Sequence, residues 1–402
     1  LINNELVLAK GNSLDRLIMS DDLIVAYTYV GDRNAPDRFP NKLEGYEIKS
    51  VTCNGMDAVW SNLDWSLTFS NLTGKNITCN FEIDDQFATE YIELLSTRNT
   101  NELRVDEHEA TGQQDFSTTE YRYYGKNANN YIWFNNELWR IIGVFDVDDG
   151  SAGLENVGKV ERRLKIIRNE SIGNYSWDSS ASSINYGYGI NEWSQADMMK
   201  LLNIDSYYKR TSGKVFNGAN DVSVDVDFSS VGLIQEAKEM INDAKWYLGA
   251  STSTAIYTDA MYEAERSTVT SKNCTGTGTY GYYCTDKTER TTSWIGKVGL
   301  MYPSDYGYSS ELTQCVKGRV LGAYNTTCMD LTWLHNQNYQ WTMNSWRDTT
   351  FASYSFLILN VGNIMYHPSA EANGIRPTVY LLPDIKIIGG EGTDQQPYLI
   401  SK

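Results

Sequence analysis

Histidine is scarce in this chain, and the surroundings of the three that occur exclude several chemistries. His108, His335 and His367 stand far apart, and none has a second histidine four residues away. The paired zinc ligands of an HExxH helix are therefore missing, and each lone histidine, set in polar or loop-like sequence, reads as solvated. There is no GxSxG elbow, no GxxxxGK[ST] loop and no strand-linked GxGxxG, so the common signatures for acyl transfer, phosphate cradling and dinucleotide binding are absent. No CxxC spacing occurs among the six cysteines, which argues against a zinc finger. No run approaches the roughly 18 apolar residues of a membrane helix. Positive charge is also short. Lys and Arg number 34 against 51 Asp and Glu, a net charge of −17, whereas binding to nucleic acid or to an anionic membrane surface needs a basic footprint. The densest basic run, KVERRLKIIRNE, spreads its charges among strand-like apolar residues and reads as a solvated strand face.

What is present points outward from the cell. The cysteines fall in neighbouring pairs, Cys53 with Cys79, Cys274 with Cys284 and Cys315 with Cys328, each bracketing turn-rich sequence. NCTGTGTYGYYC is the clearest such loop. Pairing between neighbours closes short loops and is the expected connectivity, among several open to six cysteines. Disulfides imply an oxidising compartment, hence an extracellular or cell-surface location. With 28 Tyr and 11 Trp amid abundant Asn, Ser and Thr, the composition is that of an exposed, hydrogen-bonding surface.

Four regions follow from the patterning. Residues 1–44 carry a short helix or strand signal and a Pro-containing exit, and are expected to serve attachment or assembly. Residues 45–83 form a small β module. In WSLTF, Trp65, Leu67 and Phe69 alternate with Ser66 and Thr68, the half-buried strand pattern, and Cys53–Cys79 would staple so small a sheet. Residues 84–119 hold a helix, with Phe87, Tyr91, Leu94 and Leu95 on one face, and then a polar, acidic linker. Residues 120–402 make a large mixed domain. Within it WSQADMMKLLN opens as a capping-box variant, Ser194 to Asp197. The strongest helical stripe is SSVGLIQEAKEMINDAKWYLG, with Leu233, Ala237, Met240, Ile241, Ala244 and Leu248 on one face and Gly249 at its end.

Carboxylates are too numerous for any one pair to stand out. Glu263, Glu265 and Asp305 are the candidates for acid–base work. In DVDDG, Asp146 and Asp148 carry part of a calcium-loop pattern without its full spacing or closing Glu, and calcium is the metal such an acidic turn would take.

YYGKNANNYIWFNNELWRIIGVFDVDDG, RLKIIRNESIGNYSWDSS, WIGKVGLMYPSDYGYS, YQWTMNS and GIRPTVYLLPDIKIIGGEGTDQQPYLI together resemble a family of large exported domains of low-GC Gram-positive bacteria of the gut type. The likeness covers roughly residues 120–402. Some members follow a pilin-like or membrane-anchor N-terminus, and a small Cys-bracketed β module often precedes them. A more distant likeness is to the C-type-lectin-like fold of formylglycine-generating-enzyme-type domains, carried by WTMNS, the stretch after it and GIRP. The resemblance implies an α+β, C-type-lectin-like domain in which Arg376 anchors the scaffold. The loop surface before it would bind a ligand through Tyr339, Asn344, Trp346, Tyr354, Asn360, Asn363 and Tyr366, residue types suited to a paratope. The expected function is a cell-surface binding or adhesion protein, as a pilin-like or other filament subunit, whose partner is an extracellular glycan or protein and which self-assembles. The alternative is an enzyme on the same scaffold, acting on carbohydrate or peptidoglycan.

Overall fold

The computed structural model describes residues 23–32, 34–54, 56–69, 77–98, 102–270, 285–347 and 352–402. Its α+β architecture mixes short helices with several small sheets. In the N-terminal region β1 (Leu23–Tyr29), β2 (Tyr46–Cys53), β3 (Ala58–Ser61), β4 (Ser66–Phe69) and β5 (Ile77–Asp85) build a small module. Its main sheet runs β1-β5-β2, with β1 parallel and β2 antiparallel to the central strand. Trp65, Leu67 and Phe69 are buried as their alternation predicts, and they join Phe39 and Phe81 in a core of their own. Cys53 and Cys79 lie directly opposite each other and are bonded. A boundary at residue 44 cuts through this module, because β1 and Phe39 complete its sheet and core. The described part of the proposed attachment segment is thus structural, and residues 1–22 lie outside the described residues, as do Cys274 and Cys284.

Helix α1 (Ala88–Ser96) follows with Ala88, Tyr91 and Ile92 buried. The expected linker after it contains β6 (Leu103–His108), an edge strand whose alternating charges Arg104 and Asp106 are largely buried and paired at 2.9 Å. β6 pairs with β7 (Thr118–Tyr123) in a sheet that continues through β9 (Glu137–Asp148) and β10 (Val160–Arg168), while β8 (Tyr131–Phe134) flanks β9. Helix α2 (Asp197–Asn203) forms where WSQADMMKLLN predicts one, but Ala196 is its N-cap and Ser194 lies in the preceding turn. The long helical stripe breaks up. Only Gln235–Glu239 is helical, and Ala244–Tyr247 is a fully buried strand paired with Ser293–Gly296. Helices α3 (Thr258–Arg266) and α4 (Pro303–Tyr308) then pack on the outer end of the large sheet beside β6 and β7.

A second sheet contains β11 (Gln340–Ser345), β12 (Tyr354–Ile358) and β13 (Ile364–Pro368), extended by Asn373–Gly374 and Asn174–Tyr175. One continuous core joins both sheets, with Trp139, Trp177, Trp193, Trp246 and Trp341 wholly buried. The tryptophans are thus not mainly a surface feature. Several indole N–H groups find backbone acceptors inside, as Trp177 does on Thr342 at 3.1 Å and Trp341 on Tyr175 at 3.0 Å, which removes the cost of burying the polar end.

Strand β14 (Thr378–Tyr380) returns the chain to the large sheet between β10 and Val298–Gly299. Just before it, Arg376 is 3% exposed. Its guanidinium donates to the carbonyls of Arg168 and Leu334, each at 2.8 Å, and to Gln340 Oε1 at 3.3 Å. Burial, with Arg140 nearby, pulls its pKa down to about 9. The GIRP segment therefore locks the two sheets together.

Candidate functional site

The predicted aromatic surface does not assemble on one face. Asn344 is buried and donates to the carbonyls of Tyr247 and Gly249. Trp346 is only 7% exposed, stacked on Tyr366 at 3.8 Å. Tyr354 and Tyr366 are half-buried and pack edge to face at 5.8 Å. Tyr339 is exposed, but it meets His367. Residues 366 and 367 are neighbours on a strand and point to opposite sides, so Tyr339 and Tyr366 belong to different faces. Asn360 is exposed and Asn363 half-buried in the turn between β12 and β13. Wet, Asn-rich sequence predicted exposure, yet the indole is worth more inside.

Calcium at DVDDG has no support either. Asp146 pairs with Arg162 at 3.1 Å and accepts from Thr118 at 2.9 Å. Asp148 accepts the N–H groups of Gly150 and Gly158 and faces Lys245 at 3.7 Å. The two carboxylates thus serve protein donors, and no metal-binding group of three or more His, Cys, Asp or Glu exists among the described residues.

A cleft of about 490 Å³ lies elsewhere, between the end of β6, helix α3 and the chain after α4. Its floor is a separate small apolar cluster of Tyr262, Tyr308, Val316 and Leu312. The sequence builds each wall locally. Asp259, Tyr262 and Glu263 share one face of α3 through their i, i+3, i+4 spacing. Residues 312–316 form a wide turn, with N–H groups bonded five residues back, and the Cys315–Cys328 disulfide fixes it. On the sheet side, Asp106 pairs with Glu120 across β6 and β7, so His108 sits diagonally from Glu120 within side-chain reach. The imidazole Nε2 is 3.5 Å from Glu120, and its ring stacks on Tyr262 at 3.9 Å with planes 15° apart.

Behind the floor the ionisable groups are already committed to one another. Arg122 donates twice to Glu120 and once to Asp305 at 3.0 Å, and Asp305 takes Lys165 at 2.6 Å. Burial would raise the Glu120 carboxyl, but Arg122, helped by His108 and Arg266, holds it well below the usual carboxylate range. Asp305 is lowered likewise, the charges of Lys165 and Arg122 outweighing its burial. Burial brings Lys165 down to about 8. Glu265 is pushed up to about 7 by burial, against the opposing pull of Arg266 and its bonds from Ser304. Glu263 and Glu265 are two apart on α3, and one faces the cleft while the other is interior. With Asp305 also interior, the acid–base trio does not converge on an open site. A second cavity of about 560 Å³ borders Asp178 and Asp197. There both Asp178 oxygens accept backbone N–H groups, from Ile190 at 2.6 Å and Asp197 at 3.0 Å, a loop-tying role.

The cleft was not anticipated. His108 lies in sequence that reads as linker, and its partners come from α3 and α4. No motif marks it; the only local signal was Leu103 and Val105 alternating with charge, which places a strand there. No family model matches the chain, and neither a curated protein nor a solved structure matches it. Among the described residues no helix is long and apolar enough to cross a membrane.

Proposed function

We propose that the protein is an exported, cell-surface binding protein that engages an extracellular glycan or protein, and that its binding site is the cleft beside His108. The observation that carries this is the cleft's construction: an aromatic and apolar floor under a charged rim, with Glu120 and Asp305 behind it paired to arginine and lysine and Glu265 hydrogen-bonded by Ser304. Such a site offers aromatic contact and charge, while the carboxylates behind its floor are committed to protein donors, which favours binding over the enzymatic alternative. Two disulfides fit an oxidising compartment. We further propose a C-type-lectin-like arrangement for the large domain, with Arg376 as its scaffold anchor.

The test is binding of the purified protein to a panel of immobilised extracellular glycoproteins and their deglycosylated forms. Saturable binding to at least one is expected, and Ala110→Trp, which fills the cleft mouth from an exposed loop position, should abolish it. Absence of saturable binding, or binding indifferent to Ala110→Trp, would count against the cleft. Turnover of an immobilised ligand would favour the enzyme.

A further inference from the structure

Taking the cleft as the binding site, we infer that the group it receives is a planar cation, the guanidinium of an arginine side chain carried by a protein or peptide partner. The rings in the cleft form a column. Arg266 lies over one face of Tyr262 at 3.3 Å, and His108 covers the other at 3.9 Å. Tyr308 meets His108 edge-on at 5.7 Å. Both faces of Tyr262 are thus used, and the column ends at the imidazole. With one face of His108 against Tyr262, the part of its ring that borders the cleft is the other face and edge. An unfinished stack asks for another flat group, and the column already shows a guanidinium stacking on its inner end.

Charge selects among flat groups. The walls bring four carboxylates, from Asp106, Glu109, Asp259 and Glu263, against one ammonium, Lys317. Asp106 is held by Arg104 at 2.9 Å, Asp259 accepts the Tyr308 hydroxyl at 2.6 Å and Glu109 accepts from Ser117 at 3.2 Å. Glu107 and Glu263, both exposed, have no hydrogen bond or ion pair among the described residues. Glu107 is next to His108 on β6 and points to the other side of the sheet, so Glu263, rising from α3, is the uncommitted carboxylate beside a ligand lying on His108. A guanidinium offers its flat face to the ring and its N–H fork to the Glu263 carboxylate. An ammonium satisfies the charge but not the stack. An anion meets repulsion, and a neutral sugar leaves the carboxylate charge unanswered.

Calorimetric titration with the acetylated, amidated tripeptide Gly-Arg-Gly, its lysine counterpart and its neutral citrulline isostere tests this. The arginine peptide should bind about tenfold more tightly than the citrulline peptide and severalfold more tightly than the lysine peptide. His108→Ala and Glu263→Gln should each weaken arginine binding about fivefold. Glu263 is exposed, so its variant keeps the test valid should the histidine change disturb folding. Equal affinity for arginine and citrulline peptides, or arginine binding unchanged in both variants, would overturn the inference. If glycoprotein binding is lost in Ala110→Trp while no arginine peptide binds the wild type, the cation inference fails and the binding cleft stands. If Ala110→Trp leaves glycoprotein binding intact, the cleft itself is wrong.

Discussion

At the scale of single residues, burial decides what a side chain does here more than its type does. Trp346 and Arg376 both sit inside, and each should be costly to truncate. Trp346→Ala should destabilise by about 3 kcal/mol through the cavity left beneath Tyr366, whereas Tyr339→Ala, at an exposed position, should stay within about 0.5 kcal/mol. Arg376→Ala leaves three acceptors without their donor and should also cost about 3 kcal/mol; urea unfolding measures all three. Glu265 gives a pH signature. Its folded pKa, about 7, lies above the ordinary carboxylate value of 4.5, so between those limits the folded state holds a proton that the unfolded state has released. Stability from this group therefore falls as pH rises from about 4.5 to about 7, by on the order of 3 kcal/mol. Glu120 and Asp305, lowered by their cations, act in the opposite sense and fail only in stronger acid. Unfolding curves of Glu265→Gln should be flatter than wild type across that window. Equal slopes would show that Glu265 ionises normally in the fold.

Among the elements, β1 and the turn at 312–316 matter most. β1 pairs along its whole length with β5, and it brings Val25, Tyr27 and Tyr29 against the module's core. Removing residues 1–29 should therefore unprotect β5 in hydrogen exchange while β9 and β10 keep their protection. Unchanged exchange in β5 would show that β1 is dispensable. The Cys315–Cys328 bond closes a short loop, and replacing both cysteines by serine should cost about 3 kcal/mol and speed exchange in residues 311–317, the cleft wall. Elements of this kind were partly legible. Trp65, Leu67 and Phe69 declared a strand, and Met198, Leu201 and Leu202 a helix, because one periodicity fitted each. At 229–249 two periodicities overlapped. Ala244 and Leu248 fit a helical face, yet Ala244 and Trp246 also alternate as in a strand, and pairing with Ser293–Gly296 settled the choice. β6 was hidden because its alternating charges read as a linker, although Arg104 and Asp106 pair with each other against α4. The cleft was hidden for a further reason: His108, Tyr262 and Tyr308 come together only through the docking of α3 and α4 against the sheet, a contact with no local trace.

On the scale of the whole molecule, a stapled N-terminal module is joined through α1 to a large two-sheet body. Ala88 donates to the Ile385 carbonyl at 2.7 Å, and Lys386 pairs with Asp85 at 3.1 Å, so the junction is ordered. The net charge of −17 suits a basic partner, whose approach it would accelerate at low salt. The central claim is that ligand meets this protein at the cleft and not at the turn that precedes β13. The most direct measurement compares two variants, each with one added surface cysteine labelled with a polyethylene glycol maleimide, Glu263→Cys on the cleft rim and Asn360→Cys on the turn, both positions being exposed. Binding to the immobilised glycoprotein panel should be lost when position 263 is labelled and retained when position 360 is. Retention with 263 labelled and loss with 360 labelled would place the site on the aromatic sheet and contradict the account.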